Sequence, residues 1–237
     1  MDFKNKVAIV TGGTGALGRV IVNRFAAEGM KVYIPVRSMK EFMTIFDDSQ
    51  KEEELTVLLR RYAIECDATD ENQVIEFCES VMKQEKRIDI LINTVGGYHP
   101  KKDVIDTDIS LIEQQLKLNF YTTFFFTKHS LNYMKISGFG RVISIGAKPA
   151  VETTPKKFAY SFSKSGVVNL MKTLSLEFKD QDITFNTIIP NIIDTSANRK
   201  SMPNADFSTW NSPEMIAEEC FELVSGKDNK EVVKKYG

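Results

Sequence analysis

The chain is poor in the residues that build metal and disulfide centres. Among 237 residues there are three cysteines and two histidines. Cys66, Cys78 and Cys220 have no metal-ligand spacing, and His99 and His129 leave little for a histidine site, so no metal is expected. An odd cysteine count reads as reduced, mostly buried thiols. Long apolar runs are also missing. None approaches the roughly 18–20 residues of a membrane span. The amino end, MDFKNKVAIV, enters an apolar strand without the charged and long apolar regions of a secretory leader, so a cytoplasmic location is expected. An excess of one charge is lacking: 31 basic residues face 32 acidic ones, a net of -1. That excludes a global basic field for nucleic acid and a polybasic block for a membrane surface. Repeats, low-complexity tracts and linkers are absent, and residues 1–237 read as one domain. With 42% hydrophobic and 27% charged residues, extensive disorder is not expected.

What is present is an alternation of short β-rich runs with longer helical ones. Strands are expected at Lys6–Thr11, Lys31–Val36, Tyr62–Cys66, Ile88–Val95, Arg141–Gly146 and Ile183–Pro190, with Glu231–Tyr236 as a final one. Helical spacing marks Leu17–Glu28, Asp70–Lys83 with Asp70 as N-cap, a long bent stretch Asp108–Met134, Phe158–Phe178 and Pro213–Val224. Ser38–Leu59 reads as helical in pieces, with an amphipathic QKEEELTVLLRR run. Strands separated by helices of about 10 residues or more imply right-handed crossovers and a parallel sheet covered on both faces. The expected fold is therefore a doubly wound, Rossmann-like α/β domain.

The first strand runs into TGGTGALG, Thr11 to Gly18. Gly13-x-Gly15-x-x-Gly18 fits the dinucleotide fingerprint, with a strand before it and a helix after. Glycines let the backbone approach a pyrophosphate, and the helix amino end supplies free N–H groups and a positive dipole. A tight turn with no ligand is the plain alternative. The segment also reads T-G-x-x-x-G-x-G with Ala16 in place of one glycine, and here the chain resembles the short-chain dehydrogenase/reductase family. The resemblance implies that Gly12, Gly13, Thr14, Gly15, Ala16, Leu17 and Gly18 hold the adenosine phosphates of a nicotinamide cofactor. An acid ending the second strand would select NAD. Here Pro35-Val36-Arg37-Ser38 offers none, and Arg37 suits a 2′-phosphate, so NADPH is expected, with NADH as the alternative. Asp67 and Ala68, in Asp67-Ala68-Thr69-Asp70, match the stretch that in the family holds adenine. Asn93 and Gly96, in Asn93-Thr94-Val95-Gly96, stand where the family shows N-N-A-G.

Tyr160 and Lys164 lie four apart, on one face of a helix. A phenol ordinarily titrates near about 10, and a neighbouring ammonium favours phenolate. By itself the pair reads as an exposed surface pair; its place after the fifth strand matches the family's active site. The resemblance makes Tyr160 the proton donor and Lys164 the holder of the nicotinamide ribose, and both Tyr160 and Lys164 cofactor contacts. It assigns Asn119 a water in the proton relay, and Pro190, Ile193 and Thr195 the nicotinamide side. It also implies a homodimer or homotetramer built through the two long helices.

One departure stands out. The family places a serine that polarises the substrate carbonyl where this chain has Ala147. Loss of one such donor typically costs about 10²–10³ in rate. Either the substrate needs no donor, or Tyr98, Lys148, Thr153 or Thr154 replaces it, or the chain binds cofactor without turnover. GAKPAV…TP…Y…K is similar to the pattern of dihydropteridine reductases, which lack the same serine and reduce a conjugated imine. The expectation is an NADPH-dependent reductase of a carbonyl or quinonoid pterin-like small molecule, with Ala147 and Tyr98 beside the substrate. The alternatives are a catalytically impaired nicotinamide-binding regulator or scaffold and, last, a Rossmann-like methyltransferase or nucleotide-sugar enzyme.

Overall fold

The computed structural model describes residues 2–4, 6–47, 62–99, 101–226 and 232–235. The amphipathic run at 50–61 lies outside these residues. Seven parallel strands form one sheet in the order β3-β2-β1-β4-β5-β6-β7. In chain order these are β1 (Val7–Thr11), β2 (Lys31–Val36), β3 (Ala63–Glu65), β4 (Ile90–Asn93), β5 (Phe139–Ile145), β6 (Asp182–Ile189) and β7 (Val233–Lys235). The helices are α1 (Ala16–Ala27), α2 (Met39–Asp47), α3 (Glu71–Glu85), α4 (Ile109–Leu116), α5 (Thr122–Ser137), α6 (Phe158–Glu177), α7 (Ser196–Ser201) and α8 (Pro213–Ser225). The doubly wound expectation holds. No helix among the described residues is long and apolar enough to cross a membrane.

β-Branched and aliphatic runs form the central strands because both faces are buried, which removes any need for polar alternation. One face packs Ile21, Val22 and Phe25 of α1 and Ile216 and Leu223 of α8 against Val10, Ile34 and Ile143. The other packs Phe77 of α3, Phe126 of α5 and Met171 of α6 against Ile9, Leu91 and Phe185. The chain leaves β1 towards β2 and returns on the other side at β4, so the strand order reverses there. A crevice opens at the carboxyl ends of β1 and β4, where ligands of such sheets bind.

Pro35 sits inside a strand with a neighbour on each side, a position that would ordinarily forbid it. Its pairing explains the exception. Lys31 N–H donates to Lys6 on the β1 side, whereas Ile34 N–H donates to Tyr62 on the β3 side. The alternation turns Pro35 towards β1, whose pairing with β2 has ended at Tyr33. The missing donor therefore falls where the glycine turn begins.

The stretch expected as one bent helix is three pieces. α4 and α5 are joined by a π-helical turn over Lys117–Tyr121. The aromatic residues near it divide: Phe126 is fully buried, while Tyr121 and Phe124 stay exposed. Asp70 caps α3 as expected, accepting from the N–H groups of Asn72 and Gln73. α7 is an element that periodicity missed; its six residues are too short to show one.

Candidate active site

The glycine turn is held by its neighbours. Gly12 has φ +66, and a Cβ there would stand 2.7 Å from Thr94 Oγ1. Thr94 donates from that hydroxyl to the Thr11 carbonyl at 2.6 Å, which ties β1 and β4 at their ends. A Cβ on Gly18 would meet the Gly12 carbonyl oxygen at 2.1 Å, which fixes α1 tightly under the turn. Gly15 is exposed and is the N-cap of α1, with no side chain capping the helix. The first-turn N–H groups of this twelve-residue helix thus keep their positive ends open, as an anionic group requires. A nicotinamide dinucleotide pyrophosphate fits that opening.

At the end of β2, Arg37 is exposed, and it and Lys117 help hold the Asp67 carboxyl below the usual carboxylate range. The larger cause is the hydrogen bond from Thr69 N–H at 2.9 Å; the Thr69 hydroxyl adds another at 2.8 Å. Ala68 is half-buried against the core. Asn93 is buried, its amide donating to Thr127 and Ser144, so its side chain lies beneath the crevice.

The π turn places Asn119. Its amide nitrogen donates to the Gly97 carbonyl at 3.1 Å, and its oxygen accepts from Gly97 N–H at 2.9 Å. Gln115, one turn earlier and buried, accepts from the same amide at 3.2 Å. A regular helix would turn Asn119 away from β4; the wider turn spends one extra residue and brings it there. Gly96 lies against both Asn119 and Lys164. A Cβ on it would stand 2.8 Å from Asn119 Oδ1 and 2.9 Å from Lys164 Nζ. Lys164 is buried and donates to the Ile145 carbonyl at 2.8 Å. Burial pulls its ammonium down to about 8.

Tyr160 opens α6 one turn before Lys164. Burial, and Tyr98 beside it, push its phenol up to about 12. This differs from the expectation that Lys164 would lower it: burial dominates, and the neighbour that acts on the phenol is Tyr98. Tyr98 packs edge-on against Tyr160, ring centroids 5.2 Å apart.

A cleft of about 350 Å³ joins these groups. Tyr98, Ala147, Tyr160, Lys164, Pro190 and Ile193 line it, as does Gly96. Thr195 stands just outside, its hydroxyl accepting from Asn198 N–H to cap α7. Of the four replacements for the missing serine, Tyr98 and Lys148 line the cleft. Thr153 and Thr154 instead line a separate depression with Val104 and Phe162. Ser144 is a buried strand residue, occupied by Asn93 and Met171. Trp210 is buried against Phe207 at 4.7 Å and anchors its loop. Asn198, Met202 and Lys157 also line the cleft. They arrive on α7 and on the approach to α6, and no motif announces them.

Residues 6–206 match the family model described as short chain dehydrogenase. The uncharacterized oxidoreductase YxjF of Bacillus subtilis (strain 168) is 30% identical over 231 residues, covering 95% of this chain and 86% of that protein. The 7alpha-hydroxysteroid dehydrogenase of Bacteroides fragilis is 27% identical over 200 residues, covering 82% of this chain and 74% of that one. Among solved structures, ElxO with NADP bound superposes with a TM-score of 0.86 at 22% identity, covering 98% of this chain and 97% of that one. NAD+-bound xylitol dehydrogenase gives 0.84 at 19%, covering 99% and 98%. At these identities the two structures establish the shared fold.

Proposed function

The chain belongs to the short-chain dehydrogenase/reductase family, and from that premise we propose that it is an NADPH-dependent reductase of a small carbonyl or conjugated imine. The observation that carries the reading is that Tyr160 and Lys164 line one cleft at the carboxyl end of the sheet, with buried Asn119 behind Gly96 in its wall. Bound NADPH would supply a hydride to the electrophilic carbon. The chain's own residues then have three tasks.

The first is binding. The open α1 amino end and the glycine turn receive the phosphates, Arg37 the 2′-phosphate, and Asp67 with Ala68 the adenine side. Gly96 leaves the space that the cofactor ribose needs, and Pro190, Ile193 and Thr195 close the nicotinamide side. The second is proton delivery. A phenol held neutral by burial keeps its proton until an alkoxide forms, so Tyr160 donates from its hydroxyl to the reduced oxygen. The third is replenishment. Lys164, buried and held near about 8, gives up a proton more readily than an exposed lysine, and Asn119 is clamped at Gly97 beside it. The exposed Tyr121 and Phe124, with Leu176 of α6, offer the helical face through which two copies would associate.

Ala147 favours a second reading, a nicotinamide-binding regulator without turnover. Tyr160→Phe separates the two. The reductase reading expects loss of at least about 10²–10³ in NADPH oxidation with activated carbonyls, with NADPH affinity unchanged. A variant keeping more than about a tenth of wild-type turnover removes Tyr160 as the acid. A wild-type protein that binds NADPH yet oxidises it with no carbonyl or quinonoid pterin supports the regulator.

A further inference from the structure

Three lysines and no carboxylate line the cleft among the described residues: Lys148, Lys157 and Lys164. Lys164 donates to the Ile145 carbonyl, and Lys148 stands 3.8 Å from Glu152. Among the described residues Lys157 has neither kind of partner. Its ammonium lies 5.4 Å from the centroid of the Tyr98 ring, which also packs against Tyr160. Ammonium, Tyr98 ring and Tyr160 ring therefore follow one another along the cleft wall.

The neighbouring lysines show that this is a local choice. Lys102 is paired with Asp108 at 2.9 Å, and Lys156 with Asp103 at 3.0 Å. Among the described residues no carboxylate comes within ion-pair distance of Lys157. It is half-buried, and Lys101 nearby adds a second positive charge rather than a negative one. A desolvated cation without an anion is costly, and proteins keep such arrangements where a ligand completes them. Burial, with Lys101 behind it, holds the Lys157 ammonium below the usual lysine range, in keeping with a missing counter-ion. The location separates it from the cofactor phosphates. Lys157 also lines a small adjoining depression with His99, Lys102 and Tyr160, and no residue of the glycine turn lines either space.

We propose that Lys157, seated against Tyr98, is an anion subsite, and that the substrate of this cleft is an oxo acid whose carboxylate it binds while the carbonyl faces Tyr160. The proposal rests on the reductase reading and adds its substrate class. It also sets that class apart from a quinonoid dihydropterin, which offers no carboxylate.

The test uses 2-oxo, 3-oxo and 4-oxo acids, each beside its methyl ester, on NADPH-loaded wild-type, Lys157→Met and Lys157→Arg proteins. Binding is read by calorimetry and kcat/KM by NADPH oxidation. A hydrogen bond to a charged group predicts at least one acid bound about 10- to 100-fold more tightly than its ester by the wild-type protein. Lys157→Met should erase that preference while ester and NADPH affinities stay the same; Lys157→Arg should keep it. The subsite is overturned if no acid outranks its ester, or if the preference survives Lys157→Met. It is also overturned if NADPH affinity falls with the acid's, because Lys157 would then serve the cofactor. Esters reduced without acid preference overturn the subsite and leave the reductase. Acids bound with preference but never reduced keep the subsite and remove the reductase reading. Failure to bind NADPH overturns both.

Discussion

The two halves of the crevice are built by different means. On the β1–α1 side the surface is backbone: a glycine at φ +66, an uncapped helix end, and glycines whose missing Cβ atoms leave room for contact. On the β5–α6 side it is side chains delivered by separate segments: Tyr98, Ala147, Lys157, Tyr160 and Asn198. A backbone surface tolerates little change where a glycine is wedged, as Gly18 is against the Gly12 and Gly13 backbone. A side-chain surface can change its chemistry while the fold stays put, which is how Ala147 can stand where the family carries serine.

Gly18→Ala breaks the first half most directly. Its Cβ would lie 2.1 Å from the Gly12 carbonyl oxygen, so the turn or α1 must move. We expect a loss of about 2–3 kcal/mol by thermal or denaturant unfolding. NADPH affinity should fall with it. Gly15→Ala sharpens the contrast, because its Cβ meets only the Gly12 oxygen at 3.2 Å. It should leave stability within about 0.5 kcal/mol while weakening NADPH. Equal stability losses from both would show that the turn is not wedged as described.

Ala147→Ser probes the second half. A restored donor should raise kcat for simple ketones by up to about 10²-fold, with unfolding stability unchanged. No gain with any ketone would mean that another donor, Tyr98 or Lys148, already acts there.

The smallest effect concerns Lys164 in the cofactor-free protein. Its folded value of about 8 lies below the unfolded lysine value of about 10.4. The unfolded chain therefore binds more protons between these values, and stability rises with pH across that window. Below it, the buried ammonium is a standing cost. Lys164→Met should stabilise the protein by about 1–3 kcal/mol at neutral pH, less what is lost with the bond to Ile145, and flatten that rise. Tyr160 acts oppositely: raised to about 12 from about 10, it removes stability as pH climbs between those values. A variant whose stability keeps the wild-type slope would show that Lys164 is not the titrating group.

The same division governs what the sequence reveals. Strand and helix order, the glycine turn and the Tyr160–Lys164 spacing are local patterns, and each is found at its expected place. The bend near Asn119 was expected, but not its form as a π turn, which goes with a tertiary contact, the reciprocal clamp between Asn119 and Gly97. Gln115, buried behind Asn119, belongs to no motif that would mark it. The Tyr160 phenol was misjudged because a sequence shows the neighbouring charge but not the desolvation. Lys157 belongs to no motif; its place beside the Tyr98 ring brings it to the cleft.

The central claim, that this crevice holds NADPH through the glycine turn and Arg37, is tested most directly by paired titrations. NADPH and NADH would be added to the wild-type protein and to Arg37→Ala, with binding read by calorimetry. The account predicts NADPH bound at least about tenfold more tightly than NADH by the wild-type protein, and a preference that vanishes in Arg37→Ala. Binding of neither nucleotide would contradict the account outright, because the uncapped α1 end would then be a turn and nothing more.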